Sequence, residues 1–220
     1  MKKKIMCLGL CLLFVTCPLV LIGCNEKPSL QSNISEITKL YFQGSSGEAH
    51  GSISVGQREE PYKMDGIHNE LYDFSLVVID FGKIIDEEEI VTSLTINDSE
   101  QDFTMYYNPL NNAFMADIGY SLNKDDIVRV MFEDITIDFS LVSDSFQVSW
   151  EQALDKAIEN IDAKSFYEDG VFKGECYLKV LTERDDNFED LFWVFTVVGE
   201  NGEVKNIVIS IENGEILANQ

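Results

Sequence analysis

Apolar and polar residues alternate in short runs from Ser35 to about Ser145. Ile37, Lys39 and Tyr41 alternate with Thr38, Leu40 and Phe42, and further runs lie at 49–55, 72–80, 90–96, 103–107, 113–118, 127–132 and 135–142. Period-two runs recurring every ~8–12 residues between Gly, Asn, Asp or Ser predict antiparallel β-structure of the sandwich kind. Paired cysteines around a tryptophan are missing, so the expected sandwich, over 35–146, is Ig-like in architecture only. Gly44-Ser45-Ser46-Gly47 reads as the first hairpin loop, two glycines bracketing two serines. Residues 57–66 break the rhythm as a charged loop, with Pro61 opposing a central strand and Asp65-Gly66 marking a turn.

The period changes at Ser149. Ser149-Trp150-Glu151-Gln152 is a capping box, with a serine N-cap and glutamine at N3. Trp150, Ala153, Leu154, Ala157, Ile158 and Ile161 then form one apolar stripe, predicting a helix whose other face carries Glu151, Asp155, Lys156, Glu159 and Asn160. Strands are expected at 175–182, 191–198, 204–211 and 215–218, with Asn201-Gly202 and Asn213-Gly214 as turns. A helix laid on one face of a short antiparallel meander makes 147–220 a small α+β unit, and the whole chain mainly β.

Residues 1–24 have a different character. Lys2, Lys3 and Lys4 precede an apolar run from Ile5 to Ile22, which Pro18 and Gly23 interrupt or end. The run is slightly short of the about 20 apolar residues a transmembrane helix needs, and its charge order is that of a secretory signal. Leu21-Ile22-Gly23-Cys24 resembles the lipobox of bacterial lipoproteins. That resemblance implies a diacylglyceryl group on the Cys24 thiol, cleavage before Cys24, and a protein held on the outer side of a bacterial cell membrane. One acyl chain holds a protein marginally and two hold it stably. Residues 25–34, polar and carrying Pro28, Ser29, Gln31, Ser32 and Asn33, are expected to be a flexible tether.

Charge narrows the partners. Three of the 16 Lys+Arg lie in the leader and none of the 39 Asp+Glu, so the remainder carries 13 against 39, a net −26. Such a surface repels nucleic acid and anionic headgroups, while 45% hydrophobic residues make the chain globular and not an acidic tail. Beyond Cys24 only Cys176 remains, so no intrachain disulfide can form; alternating with Leu178, it reads as a small buried hydrophobe.

Candidate chemistry is sparse. His50 and His68 stand apart with no Cys/His cluster, which argues against zinc, and no cofactor is implied. Asp86-Glu87-Glu88-Glu89 and Asp185–Asp190 offer carboxylates without the glycine and terminal glutamate of an EF-hand loop, and read as solvated loops. Arg58, beside Glu59 and Glu60, could clamp a carboxylate, or pair with its neighbours or a nearby loop. No nucleophile elbow or phosphate loop appears.

Ser149-Trp150-Glu151-Gln152-Ala153-Leu154, the strand holding Phe192-Trp193-Val194-Phe195, and the ending Ile207-Val208-Ile209 with Asn213-Gly214-Glu215-Ile216 resemble the PepSY domain of protease propeptides and bacterial envelope proteins. The resemblance covers about a third of the chain and carries no catalytic residues. It implies a non-catalytic protein that binds another protein, with inhibition or modulation of a secreted peptidase as the role suggested by the family. Arg58, Asn201, Gly202, Asn213 and Gly214 are the candidate interaction residues. An envelope small-ligand receptor, an enzyme with an acid-rich site and a purely structural module stay open.

Overall fold

The computed structural model describes residues 30–119, 121–182 and 190–220. Its central element is β1 (Ile34–Ser46), which turns back through Gly47-Glu48 into β2 (Ala49–Glu59). Six more strands follow: β3 (Leu71–Asp80), β4 (Glu89–Ile96), β5 (Ser99–Asn108), β6 (Ala113–Asp117), β7 (Val128–Phe132) and β8 (Ile135–Leu141). They pair antiparallel in the order β1-β2-β3-β6-β5-β4-β7-β8, and β8 returns to β1 through Phe42↔Leu141 and Gln43↔Ser140. The result is a closed barrel of eight strands.

Eight strands leave an interior that side chains can just fill. Phe42, Ile53, Val55, Val77, Ile79, Leu94, Met105, Val128, Val130, Ile137 and Phe139 fill it, all 6% exposed or less. Outward positions on β5, β7 and β8, such as Asp102, Arg129, Thr136, Asp138 and Ser140, are polar and exposed. That is the reverse of a lipid-spanning barrel, which carries its apolar side chains outside. No described helix is long and apolar enough to cross a membrane.

The expected Ig-like sandwich is therefore wrong, and closure is what overturns it. A sandwich strand and a barrel strand both bury one face, so alternation is the same in either. What separates them is the β1–β8 pairing, made across roughly a hundred residues by positions that carry no local mark. The expected hairpin loop at Gly44–Gly47 is corrected too. Gly44 and Ser45 are strand residues, and a Cβ at Gly44 would stand 2.5 Å from the Asp138 carbonyl oxygen. This glycine permits close approach of strands, not a turn. Likewise 57–59 belong to β2, and the irregular stretch begins at Glu60.

Beyond the barrel, α1 (Trp150–Asn160) is followed by a two-residue-strand hairpin, β9 (Tyr167–Glu168) and β10 (Val171–Phe172). The meander β11 (Gly174–Thr182), β12 (Leu191–Gly199), β13 (Val204–Ser210) and β14 (Ile216–Asn219) then completes the chain. Ser149 caps α1: its Oγ accepts from the Gln152 amide, and Gln152 Oε1 accepts from the Ser149 amide at 2.9 Å. Ala153, Leu154 and Ala157 face the meander, where Trp193 is buried and donates from Nε1 to the Val148 carbonyl at 2.9 Å.

The meander is not a separate sheet. β11 pairs in parallel with the first half of β1, through Ile34↔Cys176 and Ile37↔Leu178, giving one twelve-stranded sheet. β1 thus serves two cores: Ile34, Ile37 and Tyr41 line the one under α1, Leu40 and Phe42 the barrel. A bulge between Thr38 and Leu40 separates Ile34 and Ile37 from Leu40 and Phe42, and Tyr41 beyond it still faces the first core. Residues 1–29, and with them Cys24, lie outside the described residues. Of the expected tether, Leu30–Asn33 form a short 3-10 turn with Leu30 buried.

Candidate binding groove and the seam at its end

After Ile37↔Leu178, β1 turns away toward β8 and β11 continues without it. Among the described residues, Lys179–Thr182 of β11 pair with β12 alone. The space between this free edge and the outer wall of the barrel is a groove of about 680 Å³. Ser52, Ser54, Leu76, Val78 and Met115 line its barrel side, with Tyr41 between the two walls. Ser52 and Ser54 pair across β2–β3 with Val78 and Leu76, so the barrel wall alternates hydroxyl and aliphatic rows.

Register also aligns Ser45, His50 and Asp80 on three neighbouring strands at one end of the groove, through Ser45↔His50 and His50↔Asp80. Nothing in the sequence groups them, because their spacing belongs to no motif. Asp80 Oδ1 accepts from the Gly82 amide at 2.9 Å.

At the other end Glu36 and Lys179 pair at 3.0 Å, and Lys179 Nζ donates to the Tyr62 hydroxyl at 2.6 Å. Tyr62 belongs to residues 60–70, a strap that leaves β2, crosses to the meander and returns to β3. Gly66 is its closest approach. Its φ is +84°, and a Cβ there would lie 2.3 Å from the Glu200 amide nitrogen, so only glycine fits. The Gly66 amide donates to Glu175 Oε1 at 2.8 Å, and the Tyr177 hydroxyl donates to the Lys63 carbonyl at 3.0 Å. Ser35 Oγ lies 3.4 Å from His68 Nδ1, and Glu59 Oε2 accepts from the Asn69 amide at 3.0 Å.

Under the strap lie two buried carboxylates, Glu59 at 1% exposure and Glu175 at 0%. Among the described residues, Glu59 Oε1 and Glu175 Oε2 have no hydrogen-bond partner. Desolvation raises the Glu175 pKa and the nearby Glu59 charge adds to that, while the Gly66 amide, which donates to the carboxylate, opposes it. The folded protein thus holds the Glu175 proton more tightly than the unfolded chain does. Its contribution to stability is complete below the unfolded carboxylate range and is lost as pH rises through the higher folded value. Glu175→Gln keeps the shape and removes the charge. The variant should unfold at higher urea than the parent at pH 8, with the gap closing toward pH 4.5; parallel pH profiles would show that Glu175 does not titrate with folding.

The residues singled out from sequence fall in several places. Arg58 is in β2, paired with Asp117 and stacked over Phe74 at 4.9 Å and Tyr62 at 5.5 Å, so its charge is already engaged inside the molecule. Its partner is neither adjacent glutamate. Asn201-Gly202 and Asn213-Gly214 are turns, with both glycines at positive φ and the asparagine Oδ1 atoms accepting from the Glu203 and Glu215 amides. They sit at opposite ends of β13, away from the groove. Cys176 is buried, its thiol pKa pushed up by desolvation and by Glu175. Asp86–Glu89 are exposed, and 185–189 of the second acidic run lie outside the described residues. No cluster of three metal-ligating side chains occurs among the described residues. Comparison with family models, with curated proteins and with solved structures finds no match to the chain.

Proposed function

We propose that this is a lipid-anchored, non-catalytic envelope protein that binds an extended segment of another protein as an added strand along Lys179–Thr182. The observation that carries this reading is the free edge of β11, which opens onto the groove. An unpaired edge offers backbone donors and acceptors to an incoming strand, and a row of flanking pockets supplies selectivity. The net charge of −26 on the residues after Cys24 favours a basic segment. The PepSY resemblance suggests a secreted peptidase, held or inhibited, as the partner, and the lipobox-like Leu21-Ile22-Gly23-Cys24 supports the membrane anchor.

The test is site-specific photocrosslinking in intact cells. A photoreactive side chain at Leu181, beside the groove, should capture a protein partner, and Val78→Arg, which blocks the groove, should reduce that capture several-fold. The same group at Leu217 on β14 or Tyr106 on the barrel should capture little. Equal capture at Tyr106 rejects the groove, and capture confined to Leu217 moves the site to the other sheet edge.

A second reading, an enzyme, is favoured not by an acid-rich site but by Ser45, His50 and Asp80, the residue types of acyl transfer, which register sets side by side on three neighbouring strands. Labelling of Ser45 by a fluorophosphonate, lost in His50→Ala, would overturn the non-catalytic reading.

A further inference from the structure

The chain enters the described body at a defined end. β1 begins at Ile34, and Glu36 pairs with Arg58 near the end of β2, so the chain enters where the strap 60–70 leaves. The turn at Gly199–Glu203 meets the strap there through Gly66. The opposite end holds the Gly47-Glu48 turn, which touches Gly82, and the loops 81–88 and 109–112. β1 has 13 residues, so it spans at most about 40 Å at ~3.3 Å per residue, and roughly 30 Å along the barrel axis once the strand tilt is allowed for. Between Cys24 and Leu30 there are only residues 25–29, which reach at most about 20 Å at ~3.5 Å per residue.

The strap presents two apolar side chains at its tip, Met64 at 53% and Ile67 at 55% exposure, on either side of Asp65-Gly66. They are held outward by the backbone contacts beneath them, since Gly66 is buried against Glu200 and bonded to Glu175. A surface this acidic has no net electrostatic attraction for anionic lipid, and at this end Glu60, Asp65, Glu70, Glu200 and Glu203 outnumber Lys63 and Lys173. What remains to touch a bilayer is apolar.

We propose that Met64 and Ile67 rest in the headgroup layer of the membrane that carries the chain's own anchor, standing the barrel upright with Ile84 and Leu110 on its outward tip. This rests on the anchoring of Cys24 proposed above. The contact depends on interfacial insertion and not on lipid charge, so it forms on zwitterionic bilayers and weakens on anionic ones. Upright posture directs the 81–88 and 109–112 loops away from the membrane, and the groove runs along the side of the barrel with its Ser45–His50–Asp80 end outermost.

The test uses the lipidated protein, purified from membranes and reconstituted in phosphatidylcholine vesicles. Met64, Ile67, Ile84 and Leu110 are replaced by cysteine one at a time and labelled with a polarity-sensitive fluorophore; buried Cys176 is the background, measured in the parent. Nitroxide-bearing lipid should quench the label at 64 and 67 at least about twofold more than at 84 and 110, and phosphatidylserine should reduce that difference. In vesicle-bound protein, equal quenching at all four positions, or stronger quenching at 84 and 110, overturns the proposal. If the parent does not float with vesicles and carries no fatty acid on Cys24, the anchoring reading fails and this inference with it.

Discussion

Trp193→Ala should lower the unfolding free energy by about 3–5 kcal/mol, the range for removing a large buried aromatic. Trp193 is 1% exposed, meets Phe146 edge to face at 5.8 Å between ring centroids, and donates to the Val148 carbonyl. Its loss leaves a cavity between meander and helix and strips a partner from a backbone carbonyl at the helix entry. Both effects act where α1 meets the sheet. Asp155→Ala, on the exposed face of the same helix, should change stability by no more than about 0.5 kcal/mol. Urea unfolding followed by circular dichroism measures both. Equal losses would mean that the helix is not held by its buried face.

The helix was legible because its signals are local. Ser149 and Gln152 cap it within four residues, and Ala153, Leu154 and Ala157 mark its buried face within two turns. Most strand positions followed from alternation for the same reason. Barrel closure did not, because β1 meets β8 through Phe42 and Leu141, and neither residue differs from any other inward-facing apolar side chain. The Gly44-Ser45-Ser46-Gly47 stretch misled because glycine serves two purposes, positive φ and close approach. Gly47 has the first, with φ of +63°, and Gly44 the second.

The candidate site was hidden for a related reason. Glu59 and Glu175 are two of 39 acids, and burial distinguishes them only once the strap closes over both. Glu175 did carry one clue, a carboxylate inside the run Gly174-Glu175-Cys176-Tyr177-Leu178, whose five residues are all buried. A charge in a strand buried on both faces needs a specific partner, and here the Gly66 amide supplies it. The free edge of β11 had no such clue. It arises because β1 exchanges one neighbour for another midway, a property of the pairing and not of either sequence.

That shared strand also sets how the molecule should unfold. At Gly56 a Cβ would lie 1.9 Å from the Ile37 carbonyl oxygen, a backbone atom that cannot swing aside. Gly56→Ala must therefore part β1 from β2 next to the bulge, beyond which β1 begins to line the barrel as well. The loss should reach or exceed the ~1–3 kcal/mol typical of overpacking. Gly47→Ala, which meets open space and only a strained φ, should cost about 1 kcal/mol. Hydrogen exchange on Gly56→Ala should show β4–β5 of the barrel and β12–β13 of the meander losing protection together, since Ile37 and Leu40 stand on either side of the bulge and belong to the two different cores. Loss of protection in the meander alone, with the barrel unchanged, would mean that the two cores fold independently and that β1 joins them without coupling them.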